Sequence, residues 1–105
     1  MFKITFYVPE THLEQVKSAM FSAGAGKIGF YDSCCWQVKG QGQFRALEGS
    51  QAYIGELNQL AEVEEYRVEM VVDKDSILTV VAALKVNHPY EAPAFDVVEV
   101  LEQFV

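Results

Sequence analysis

A chain of 105 residues, 50% hydrophobic, 12% aromatic and 22% charged, has room for one core and enough apolar side chains to fold around it, which excludes a disordered chain and a second domain. Eight Lys and Arg stand against fifteen Asp and Glu, a formal charge of −7, so the phosphate neutralisation that drives nucleic-acid binding has little to work with. Nucleic acid and anionic membranes are therefore excluded as partners. The charge is lopsided, near +1 over residues 1–55 and near −8 over residues 56–105; a solvated acidic face explains this, and attraction of cations or of a basic partner is the sharper reading.

No stretch approaches the roughly 20 apolar residues of a bilayer span. The N-terminal MFKITFYVPE alternates polar and apolar residues where a signal peptide has a continuous apolar run, so a cytoplasmic location is expected. Cys34 and Cys35 are neighbours, and a bond between them would close a strained ring, so two free thiols in a reducing compartment are expected.

Phe2, Ile4, Phe6 and Val8 alternate with Lys3, Thr5 and Tyr7, the pattern of a strand that buries one face, over residues 2–8. Pro9 stops it. Thr11 and Glu14 carry a capping-box spacing, and Leu13, Val16, Met20 and Ala23 then recur at helical intervals, predicting a helix over about residues 11–24 that ends at Gly24 and Gly26. Residues 32–44 are rich in strand formers, with Gly40 and Gly42 read as a bend or bulge in a hairpin-like β excursion around 34–46. The segment from Arg45 to Ala61 reads as a long structured loop with a short strand near Tyr53 and Ile54. Alternation returns at Tyr66, Val68, Met70 and Val72, predicting a strand over about 63–72. Asp73 or Asp75 can cap a helix over about 75–87, which Asn87 and Pro89 end, and a last strand follows over about 94–101. Two βαβ halves of this size predict an α+β, ferredoxin-like βαββαβ sandwich of one domain, with an antiparallel sheet and both helices on one face.

The densest cluster of special residues is His88, Pro89, Tyr90 and Glu91, with Pro93 close behind. Two prolines fix φ and make a stiff link that places His88 and Glu91 reproducibly. Two readings stand open: a ligand or divalent-metal contact through His88 and Glu91, or a structural connector in which the His88 imidazole caps the second helix. His12 reads as an exposed position in the first turn of its helix. Arg45, closing Gly40-Gln41-Gly42-Gln43-Phe44-Arg45, is a candidate anion contact, although the segment lacks the helix entrance of a phosphate loop. Glu62, Glu64, Glu65 and Glu69 read as a solvated strand face, with nothing to set one carboxyl apart from another. No nucleophile stands beside a base, so catalytic residues are not assigned. Phe30, Tyr31, Trp36, Phe44 and Tyr53 are more aromatic surface than one sheet covers, and they are expected between subunits.

The segments MFKITFYVPETHLEQV, GQGQFRALEGS, VEEYRVEMVV and NHPYEAPAFDVVEV together resemble the stand-alone YqfO-type domain. That domain is similar to the insert of bacterial Nif-three-like proteins and related in fold to CutA and the P-II signalling proteins. The resemblance implies a ferredoxin-like fold that associates as a homo-oligomer, trimer favoured. The dinuclear metal centre of the larger Nif-three-like proteins lies in flanking lobes and is not carried over, nor is their cyclohydrolase label. The expected function is a non-catalytic binding or regulatory domain, with a small molecule or divalent metal held at subunit clefts by His88, Tyr90, Glu91 and Arg45; a hydrolase-type site assembled across subunits and a purely structural role are the alternatives.

Overall fold

The computed structural model describes residues 1–102. Its elements run β1 (Phe2–Val8), α1 (Glu10–Ser22), β2 (Trp36–Arg45), β3 (Leu60–Val72), α2 (Ile77–Asn87) and β4 (Phe95–Glu99). The four strands form one antiparallel sheet in the order β2-β3-β1-β4. This is the expected ferredoxin-like arrangement, with β1 pairing from Phe2↔Val72 to Val8↔Tyr66 on one side and from Phe2↔Glu99 to Phe6↔Phe95 on the other.

Alternation in the strands and helical spacing in α1 and α2 converge on one core. Ile4, Phe6 and Val8 of β1 and Val68, Met70 and Val72 of β3 pack with Leu13, Val16 and Met20 of α1 and Val80 and Leu84 of α2. Each such side chain, removed from water, stabilises the fold by about 1.5–3 kcal/mol before chain entropy is counted. At the exit of α1 the amide of Gly26 donates to the Val71 carbonyl at 2.8 Å. Its φ of +75° and the closeness of the Cys34 carbonyl and the Phe21 ring leave no place for a Cβ.

Several expectations change at the level of elements. The excursion is itself the second strand of the sheet: β2 pairs with β3 without interruption from Trp36↔Glu69 to Arg45↔Leu60, so Gly40 and Gly42 mark neither bend nor bulge. Because β3 begins at Leu60 rather than 63, residues 40–45 and 60–65 continue as a two-stranded ribbon past the end of β1. No strand forms at Tyr53 and Ile54; residues 46–59 are a loop tied by an Ala46↔Leu57 bridge. Both helices start without a side-chain cap. Pro9 stands at the start of α1 and Ser76 at that of α2, while Thr11 sits inside the first turn and shares a hydrogen bond with His12. The Asp73 contribution is its carbonyl, which accepts from the Ser76 amide. The last strand ends at Glu99, short of 101. Cys34 and Cys35 precede β2 and are free, as expected.

Candidate functional site

Pro89 forces the residue before it out of the helical region, so α2 ends at Asn87 and His88 turns extended, at φ −76° and ψ 138°. That turn carries the imidazole away from its own helix. Its Nε2 lies 2.6 Å from the Tyr7 carbonyl of β1 and its Nδ1 accepts the Tyr90 amide at 3.1 Å. An acceptor at Nδ1 places the proton on Nε2, which donates to Tyr7, so a neutral ring satisfies both partners. His88 is buried, and burial holds its pKa below the ordinary histidine value against the opposing effect of the Tyr7 hydrogen bond. The imidazole is thus a pin between the α2–β4 connector and the end of β1. The helix-capping role is corrected to this one, because the ring reaches another strand rather than the last carbonyls of α2.

The pinned connector forms one wall of a cavity of about 270 Å³ where β1 ends and the β2–β3 ribbon runs on. Alternation and register put Tyr7, Glu65, Val63, Gly42 and Phe44 on the sheet face opposite the core. The loop supplies Tyr53 and Ile54, and the connector supplies Tyr90 and Glu91. Tyr90 is the hub, with ring centroids 4.8 Å from His88, 6.4 Å from Tyr53 and 6.5 Å from Phe44. Tyr53 also meets His12 edge-on at 5.8 Å, which ties the loop to the first turn of α1. At the polar end the Tyr90 hydroxyl donates to Glu65 Oε2 at 3.3 Å. Burial pushes the Glu65 carboxyl up, opposed by that hydrogen bond. Burial and the neighbouring Glu65 push the Tyr90 hydroxyl up to about 12. A Cβ on Gly42 would collide with the Glu65 carboxylate, so glycine there makes room for the acid.

Tyr90, Glu91, Phe44 and Tyr53, four of the residues singled out in the sequence, meet at this cavity. His88 lies behind it as support. Arg45 points to the other face of the ribbon and is not among the lining residues. His88 and Glu91 do not present free donors to one ion: both imidazole nitrogens are engaged, and Glu91 Oε2 accepts the Gln51 amide at 3.0 Å. Among the described residues no three His, Cys, Asp or Glu side chains gather as a metal would require. Phe30, Tyr31, Trp36 and Tyr53 are exposed, whereas Phe44 is half-buried in the cavity wall of its own chain. Sequence reasoning missed Glu65, Tyr7 and the part-buried His12. Glu65 was legible in one respect only: it shares a strand face with Val63 and lies across from a Gly-x-Gly.

No protein-family model matches the chain. It is 45% identical over 95 residues to the GTP cyclohydrolase 1 type 2 homolog of Mycobacterium bovis, a match that covers 90% of this chain and 25% of that protein. A Bacillus cereus protein related to NIF3 superposes with a TM-score of 0.79 at 38% identity, over 91% of this chain and 24% of that one. The PII-like protein CutA from Nostoc sp. PCC 7120 superposes with a TM-score of 0.67 at 18% identity, over 100% of this chain and 86% of that one, a likeness of fold. The chain spans about a quarter of the length of the first two proteins.

Proposed function

Because the chain is a homologue of a quarter-length segment of the NIF3-related proteins, we propose a function within that segment's reach: a binding or regulatory module that takes a small ligand into the cavity between Phe44, Tyr53, Tyr90 and Glu65. The observation that supports it most is the make-up of the cavity. Aromatic walls from three separate segments converge beside Glu65, whose carboxylate takes the Tyr90 hydroxyl, and small-molecule sites combine apolar walls and a few placed polar groups in this way. The volume of about 270 Å³ lies just below the roughly 300–1,000 Å³ of such sites, which suits a small ligand of one or two rings. A divalent ion is not the ligand this arrangement favours, since the imidazole behind the cavity has no free nitrogen. The cyclohydrolase of the relatives' name belongs to proteins about four times as long as this chain.

The module works as a homo-oligomer, trimer favoured. Supporting this are the exposed Phe30, Tyr31 and Trp36, gathered just before and at the start of β2, which one sheet leaves uncovered. The binding reading is tested by a fragment screen that follows thermal unfolding of the wild type and of Tyr90→Ala. One- and two-ring fragments are expected to raise the wild-type midpoint and to lose that effect in the variant. Fragments that stabilise neither protein, or both equally, would overturn the cavity as a binding site.

A further inference from the structure

The cavity wall is one-sided in charge. Its residues include two carboxylates, Glu65 and Glu91, and no Lys, Arg or His. The bases on the same sheet face are already committed: Arg67 Nη2 and Lys3 Nζ both meet Glu69 Oε1, at 3.1 and 3.0 Å. Arg45 and Lys39 fall on the other face by register, and Lys39 pairs with Glu64 there. A phosphate or carboxylate entering the cavity would therefore meet like charge, with no counterion in the wall.

The polar end is built for the opposite charge. Glu65 Oε2 already takes the Tyr90 hydroxyl, which has no second proton to give, and Oε1 lies over Gly42 in the space a Cβ would fill, with Glu65 among the residues that line the cavity. Around it stand the rings of Phe44, Tyr53 and Tyr90, whose negative faces attract cations, the more so where water is excluded. Burial, which raises the Glu65 pKa, makes the bare carboxylate costly, and an incoming cation removes that cost by pairing with it. On these grounds, and resting on the binding reading above, we infer that the cavity selects a planar organic cation, an amidinium, guanidinium or aromatic ammonium, held by Glu65 and stacked among Phe44, Tyr53 and Tyr90. Nucleotides and other anionic ligands are rejected at this site.

The test titrates the full chain calorimetrically near neutral pH with three planar probes of one size: benzamidine as its cation, neutral benzamide and the benzoate anion. Benzamidine is expected to saturate one site per chain and to bind about tenfold or more tighter than benzamide, with no uptake of benzoate. In Glu65→Gln, benzamidine should fall to the level of benzamide. Benzamide or benzoate binding as well as benzamidine to the wild type overturns the charge selection and leaves the binding reading standing. Uptake of none of the three also overturns it, and the fragment screen then decides separately whether the cavity binds at all. The wild-type comparison does not depend on the folding of any variant.

Discussion

His88 holds two segments that are 81 positions apart through one buried ring, and both ends of that link are backbone groups that lose their partner together. His88→Ala should therefore cost about 2–3 kcal/mol in urea unfolding, more than an exposed cap would, because the Tyr7 carbonyl and the Tyr90 amide are left unpaired. The ring also predicts a pH dependence. Since burial lowers its folded pKa below 6.5, the unfolded chain takes up the proton first, so its contribution is fully present above about pH 6.5 and is lost as the pH falls through the folded value. Glu65 acts with the opposite sign: its raised pKa favours the folded state at low pH, and that contribution is lost as the pH rises through the folded value. Comparing wild type with His88→Gln isolates the histidine: the wild type should lose stability between about pH 7 and pH 5 more steeply than the variant. Equal slopes would mean that the imidazole titrates alike in the folded and the unfolded chain, against the burial argued here. Gly42→Ala probes the far side of the same site. The new methyl displaces the Glu65 carboxylate, which can swing aside, so a stability loss of about 1 kcal/mol or less is expected together with loss of ligand uptake.

At the scale of elements, the helices are held by what they bury rather than by their caps, since neither has a side-chain cap. Leu84 is fully buried between α2 and the sheet, and Leu78, on the same helix, is 84% exposed. Leu84→Ala should cost about 2–5 kcal/mol and Leu78→Ala less than about 0.5 kcal/mol in denaturant titration. Similar losses at both positions would mean that α2 lies differently on the sheet. The same contrast explains what the sequence disclosed. Period-two alternation gave β1 to the residue and the second half of β3, because there one face is buried by the helices and the pattern is written in hydrophobicity. It faded in β2 and the first half of β3, where the ribbon leaves the core: β2 is mostly exposed, and β3 there alternates exposed residues with half-buried ones that include Glu65 as well as Ala61 and Val63, so hydrophobicity alone no longer marks one face. Gly40 and Gly42 then looked like a break in a strand, although Gly42 is there to admit Glu65. The site was half legible for a related reason: prolines and aromatics announced the connector, whereas the setting of Glu65 depends on Tyr90, which lies 25 residues away and meets it only in the fold.

Across the whole molecule, the sheet has a helix-covered face, and the face opposite carries the cavity at the base of a projecting ribbon. The proposed self-association through Trp36, Phe30 and Tyr31 predicts that Trp36→Glu lowers the mass measured by light scattering while leaving the circular dichroism of the subunit unchanged; an unchanged mass, or a wild type that is already monomeric at micromolar concentration, would reject it. Two-dimensional NMR of the aromatic side chains during titration with benzamidine reports on the cavity itself. Saturable shifts are expected in the ring resonances of Phe44, Tyr53 and Tyr90, following one binding curve, with Phe30 and Tyr31 unmoved. Shifts confined to those exposed rings, or none at Tyr90 at saturating probe, would rule out cation binding in the cavity.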